Sequence, residues 1–341
     1  MEKSVVHEVA QVSMGRPHVV LLGAGASRAA FPNGERNGRR LPTMADFLEI
    51  VPIREVLSAA NIPFDGANFE ELYASLAGDR QYAEICTALE SEIFQYFSSL
   101  CLPATPTLYD HLLLSLRPKD IIATFNWDPF LIQAARRNGH MGGVPKLLFL
   151  HGNVLDAYCE KDKVHGVLGA KCSKCRFPFE PVGLLYPISE KDYDKHPAIR
   201  SSWEVVRWAF ENAFMVTIFG YGAPQSDLAA VQLLLEAWGG WQKRNLEQFE
   251  VIDIRDEKDL IESWEPFIHT HHYEICTNFY DSWIANHPRR SGEAYWNQYM
   301  EACFIENNPI PRTNNFEELW SWYRPLLEAE RSASNSPQWE K

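Results

Sequence analysis

"HVVLLGAGASRAAFP", residues 18–32, is an apolar run that stops on Gly-Ala-Gly-Ala-Ser. The run suits a strand buried on both faces, because it is apolar at nearly every position instead of alternating. The glycines at its end suit a tight strand-to-helix turn whose backbone N–H groups face one point. Gly23 and Gly25 permit the turn, and Ser27 adds a hydroxyl. No Lys-Ser/Thr follows, which excludes the nucleotide loop with a phosphate-gripping lysine, and Arg28 breaks a strict GxGxxG spacing. A ligand-free turn accounts for this stretch, taken alone, as well as a phosphate site does.

Four further runs read the same way: "DIIATFN" (120–126), "KLLFLHG" (146–152), "FMVTIFGYG" (214–222) and "FEVIDIR" (249–255). Helical patterns at about 129–138 and 226–238 follow two of them, the second opening with Ser226 or Asp227 at the N-cap. Strands alternating with helices predict a parallel α/β sheet. Residues 44–117 read as helical, a subdomain inserted between the first two strands. After Arg255 the chain is aromatic and helical, an accessory layer or oligomer surface, and "RSASNSPQWEK" at the end is expected to fray.

The net charge is −13 and no basic stripe stands out, so nucleic-acid binding is not indicated. No apolar stretch reaches the roughly 18 residues of a membrane span, and the first residues lack the pattern of a cleaved leader. The 7 cysteines are scattered apart from one tight pair, which suits a reducing cytoplasm. A cytoplasmic protein is expected.

Polar groups cluster where the strands end. "ATFNWDPF" (123–130) carries Asn126 and Asp128, a pair that also suits a helix cap before Pro129. "FLHGNV" (149–154) carries His151 and Gly152, and "IFGYGAPQSD" (218–227) repeats the strand–glycine–polar arrangement. Ligands of open α/β sheets bind at such carboxyl ends, and imidazole is the side chain suited to proton transfer near neutral pH.

The order Gly-Ala-Gly-x-Ser, then Thr124-x-Asn126-x-Asp128, then His151-Gly152, resembles the sirtuin family over about Val19 to Asp256. The resemblance implies a Rossmann-like sheet over residues 1–255, with helices on both faces, the insert 44–117 and a zinc module at 155–180. A helical extension, 256–341, would follow. It implies that the ligand is NAD, with the pyrophosphate admitted by Gly23, Ala24 and Gly25 beside Ser27. Thr124 and Gly220 would line the site, and Asp253 falls near where the family places an asparagine on the adenine ribose.

For the nicotinamide–ribose bond, Asn126 would hold a hydroxyl or water. His151 would be the base or would orient the ribose hydroxyls, and Asp128 would position Asn126 or the nicotinamide end. The family places its first zinc cysteine eight residues beyond that histidine, which is Cys159 here. Cys172 and Cys175 have the two-residue gap of a thiolate pair. Where a fourth cysteine is expected stands Asp162, and His165 lies three further on as a better borderline-soft donor, so a structural Cys3His or Cys3Asp site is expected. "HTHHYEIC" (269–276) is read as an ordinary polar strand or loop.

The chain departs from the deacylating sirtuins. "RAAFPNGERNGRRLPTMADF" has no Ile-Pro-Asp-Phe-Arg-type segment, "VGLLYPISEKDY" replaces Phe-Gly-Glu, and "GYGAPQSD" replaces Gly-Thr-Ser. These departures are similar to the divergent bacterial, defence-associated branch. That resemblance implies NAD hydrolysis to nicotinamide and ADP-ribose in antiphage defence, as a homo-oligomer or beside a partner defence protein. The alternatives are protein deacylation or ADP-ribosyl transfer, and a non-catalytic NAD or ADP-ribose binder.

Overall fold

The apolar runs become strands of one sheet in the computed structural model, which describes residues 2–188, 193–194, 196–224 and 227–334. In chain order these are β1 (His18–Leu22), β2 (Ile121–Thr124) and β3 (Lys146–Phe149). A small antiparallel sheet of β4 (Asp156–Cys159), β5 (Val164–Val167) and β6 (Glu180–Pro181) intervenes. The main sheet resumes with β7 (Met215–Phe219), β8 (Gln248–Ile252) and β9 (Tyr273–Cys276). Its order is β9-β8-β7-β1-β2-β3, all parallel, which is the doubly wound Rossmann arrangement. The direction of winding reverses between β1 and β7, and in open α/β sheets the ligand crevice lies outside the carboxyl ends of the strands at such a switch point.

Strand alternation divides the core in two. Val20, Leu22, Ile122, Phe149, Phe219 and Ile252 face one layer, and Val19, Leu21, Ala123, Leu148, Ile218 and Val251 face the other. The first layer packs the inserted helices together with Leu319, Tyr323 and Leu326 of the C-terminal helix Phe316–Ser334. The second packs the helices Pro197–Asn212 and Leu228–Trp238. Because one core serves the sheet, the insert and the extension, each folds against the others.

The expected helices are Phe130–Asn138 and Leu228–Trp238. Asp227 does occupy the N-cap position of the latter, but its side chain makes no capping bond. Ser226, the other candidate, lies outside the described residues, as do residues 335–341 of the tail expected to fray. Arg331 is still helical. The "HTHHYEIC" stretch provides β9, an edge strand. Helix Pro197–Asn212 was not expected from the sequence. Its signal is Pro at N1 with Ile199, Trp203, Val206 and Phe210 at helical spacing.

Candidate functional site

The Gly-rich turn ends β1, and helix Ala24–Ala30 begins there. What fills the space the glycines leave is the chain itself. A Cβ on Gly23 would lie 2.5 Å from Tyr221 Cα, one on Gly25 2.8 Å from Gly220 Cα, and one on Gly220 2.3 Å from the Ala26 nitrogen. Gly220 also has φ +61°, a left-handed conformation that favours glycine. The Gly23 N–H donates to Phe219 O at 3.0 Å and the Gly25 N–H to Gly220 O at 2.9 Å. These glycines let two loops at the switch point touch, and the Gly23 and Gly25 amides donate across that contact. Ala24 is left as the amide of the turn with no partner among the described residues.

Behind the turn lies a buried polar network. Asn126 donates from Nδ2 to Gly23 O at 2.9 Å and to Ser27 Oγ at 3.0 Å. Ser27 Oγ donates to Asp128 Oδ2 at 2.6 Å and accepts from the Tyr109 hydroxyl at 2.6 Å. Because a backbone carbonyl can only accept, the Asn126 amide is fixed with its nitrogen toward Gly23. Its Oδ1 has no partner among the described residues and can accept from a hydroxyl or a water. Thr124 Oγ1 accepts from the Asn126 N–H at 3.0 Å, so it shapes the turn. Asp128 also receives the Phe130 N–H at 3.3 Å, which makes it both a helix-start residue and the anchor of Ser27. Burial raises the Asp128 carboxyl to about 6, against the hydrogen bonds from Ser27 and Phe130. Burial keeps Tyr109 far above its ordinary range, so it remains a donor.

His151 stands just after β3, the neighbour of β2 in the sheet. The pairing of β2 with β3 continues past the strands, since the Leu150 N–H donates to Thr124 O at 2.9 Å. The imidazole is buried, with the Phe125 ring edge-on at 4.7 Å and Tyr193 parallel at 6.2 Å. Its Nε2 is 3.6 Å from Asp227 Oδ1. Gly152 has φ +75°, and a Cβ there would meet Gly183 O at 2.2 Å, so this turn too needs glycine. Asp253, at the end of β8, faces Arg255, whose Nη2 is 2.9 Å from Oδ2.

The sequence reading missed four members. Tyr109 is hidden in an apolar helical stretch. Asn153 donates from Nδ2 to the Asp128 carbonyl and pins the Asn126–Asp128 turn. Tyr221 donates to Asp227 Oδ2 at 3.0 Å. Asp227 was legible only as a helix cap.

The small sheet holds a metal-type cluster in which Cys159, Asp162, Cys172 and Cys175 bring their ligand atoms within 4.8 Å of one another. The Sγ atoms of Cys159 and Cys175 are 3.5 Å apart, and Cys172 Sγ is 3.1 Å from Asp162 Oδ2. Three soft thiolates and one carboxylate at that spacing suit a closed tetrahedral zinc site, with Zn–S near 2.3 Å. His165 is not part of the cluster. It pairs across β4 and β5 with Tyr158 while Cys159 pairs with Val164, and strand alternation sends His165 to the opposite face. There its Nδ1 is 3.4 Å from Asp156 Oδ1. Asp162 stands in the turn before Lys163 (φ +53°), as Cys175 stands before Arg176 (φ +66°), so two similar knuckles face each other.

No family model matches the chain, and no curated protein does. Among solved structures it is similar to a Sir2 homologue in complex with NAD, at 14% identity over 95% of this chain and 94% of that one, with a TM-score of 0.34. It is similar to a Sir2 homologue complexed with ADP-ribose, at 12% identity over 98% of each chain and a TM-score of 0.36. It is also similar to Sir2Tm bound to a propionylated peptide, at 14% identity over 84% of this chain and 93% of that one, with a TM-score of 0.34.

Proposed function

We propose that the crevice binds NAD and hydrolyses its nicotinamide–ribose bond, releasing nicotinamide and ADP-ribose. The observation that carries this reading is a pair of polar side chains at the carboxyl ends of β2 and β3. A locked amide presents the Asn126 carbonyl oxygen just after β2, and a buried imidazole, His151, stands just after the neighbouring strand β3. Cleavage needs one group to accept from a water or ribose hydroxyl and another to take a proton. Asn126 Oδ1 does the first and His151 the second. Asp128 acts through Ser27, keeping the amide turned. The Ala24 amide and Ser27 lie toward the pyrophosphate, with Thr124 and Gly220 in the wall and Asp253 toward the adenine ribose. Zinc on Cys159, Asp162, Cys172 and Cys175 would hold the small sheet and take no part in the chemistry.

Water is preferred to an acyl-lysine as nucleophile because the deacylase segments are replaced, as "VGLLYPISEKDY" and "GYGAPQSD" illustrate. Deacylation, ADP-ribosyl transfer and ligand binding without turnover are the competing readings. An enzyme that destroys NAD has to be restrained in a healthy cell, which fits a role in bacterial antiphage defence under control of self-assembly or a partner protein.

The test is incubation with NAD, with and without an acetyl-lysine peptide, and separation of products. Peptide-independent release of nicotinamide and ADP-ribose is expected. Asn126→Ala and His151→Ala should each lower it by roughly 10²–10⁴-fold. Turnover only with peptide would make the protein a deacylase, and NAD binding without turnover a binder.

A further inference from the structure

A second concavity lies at the far end of helix Ala24–Ala30, away from the glycine turn at its start. It is a cavity of about 300 Å³, and no residue of the Asn126–Ser27–Asp128 network lines it. Phe31, Pro106 and Leu108 give it an apolar wall, and His111, Arg312 and Asn314 line it with polar groups. Tyr109 and His111 stand two residues apart on helix Leu108–Leu114, so their side chains leave it on opposite sides. Tyr109 reaches Ser27, and His111 reaches the cavity.

The fold leaves these polar groups without partners. The His111 ring is buried, at 3% exposure, and its Nε2 has no hydrogen-bond partner among the described residues. The Arg312 guanidinium lies over the Tyr280 ring at 4.0 Å and makes no hydrogen bond or ion pair among the described residues, nor does the Asn314 amide. Asp110, the acid beside His111 in the chain, is already held by Arg137, Thr107 and Asn138. A buried imidazole nitrogen without a partner costs free energy that a bound acceptor or donor would recover.

We propose that this cavity is a second ligand site, for a small organic acid with an apolar body and one carboxylate. The carboxylate bridges Arg312 and His111 Nε2 while the body packs on Phe31, Pro106 and Leu108. Charge selects a monoanion. Arg312 is the one charged side chain among the described residues of the lining, since burial pulls His111 down to about 4 and leaves it neutral at pH 7. A phosphate dianion would carry a second charge that this wall does not match. The Tyr280 hydroxyl is 2.8 Å from His111 Nδ1, and burial raises it so that it keeps its proton. With the phenol donating to Nδ1, the one ring proton sits on Nε2, which then donates to the carboxylate. The site is separate from the crevice, and its test does not use NAD.

The experiment is a ¹⁵N-histidine NMR titration of the full chain with benzoate. Benzyl alcohol serves as an uncharged match and inorganic phosphate as a compact polyanion. His111 is assigned from His111→Gln, and Arg312→Gln, at an exposed position, removes the charge without disturbing the core. Benzoate is expected to shift the His111 Nε2 resonance saturably, with a Kd of about a millimolar or below, and His111 to be the Nε2–H tautomer throughout. Arg312→Gln should raise that Kd at least about tenfold, and benzyl alcohol and phosphate should bind weaker than benzoate by a similar factor. A crystal soaked in benzoate should show the carboxylate between Arg312 and His111, independently of any variant. A response confined to other histidines overturns the proposal, as does resident Nδ1–H on His111. So does a Kd indifferent to Arg312→Gln, or benzyl alcohol or phosphate binding as tightly as benzoate.

Discussion

Asp128 is a carboxylate buried beside Ser27 and the Phe130 amide, with no cation among its hydrogen-bond partners. Its carboxyl is raised from 3.8 to about 6 by burial. A raised acid contributes stability that is fully present below the unfolded value and is lost as pH rises through the folded value. Wild type should therefore lose stability relative to Asp128→Asn between pH 4 and pH 7, by about 3 kcal/mol at most. Urea unfolding of both proteins across that range measures it, and a constant difference would show that the buried charge carries no such cost. At this scale Asn126, Asp128 and His151 were legible because each interrupts an apolar run at its end. Tyr109, Asn153 and Tyr221 were not, since nothing local separates a tyrosine that donates to Ser27 or Asp227 from one that only packs.

The β4–β5 hairpin shows what an element decides. The thiolate pair Cys172 and Cys175 was readable from spacing, because two ligands three residues apart reach one ion through local geometry alone. The choice between Asp162 and His165 was not, because it depends on which face each residue takes in a register fixed by hydrogen bonds. Zinc content should be unchanged in His165→Ala and lost in Cys172→Ser, with a stability loss of about 4 kcal/mol or more in the latter. Asp162→Cys should retain zinc. Metal analysis of the purified variants checks all three, and loss of zinc in His165→Ala would sink the assignment.

Over the whole molecule, the C-terminal helix is fastened by charge as well as by apolar contact. Arg289 and Arg290, both buried, meet Glu330 at 2.6 and 2.8 Å, and the Tyr323 hydroxyl lies 2.6 Å from Ser115 Oγ. Removing one partner of a buried ion pair leaves an uncompensated charge. Glu330→Gln should cost about 3 kcal/mol and lower the midpoint of a single unfolding transition, because helix and sheet share one core. Two separate transitions in a calorimeter would mean instead that the extension folds by itself.

The amino-acid sequence by itself determined the five apolar strands, the helices after two of them, the glycine turns and the thiolate pair, all features set by local periodicity or short spacing. Tertiary structure decided that β9 joins the sheet and that the glycines answer to Gly220. It also decided that Asp162 replaces His165 and that Ser27 reaches Asp128, 101 residues away. The physical reason is that side-chain periodicity is a property of neighbours along the chain, whereas contact between distant residues depends on strand order and register. Those are fixed only when the whole core closes.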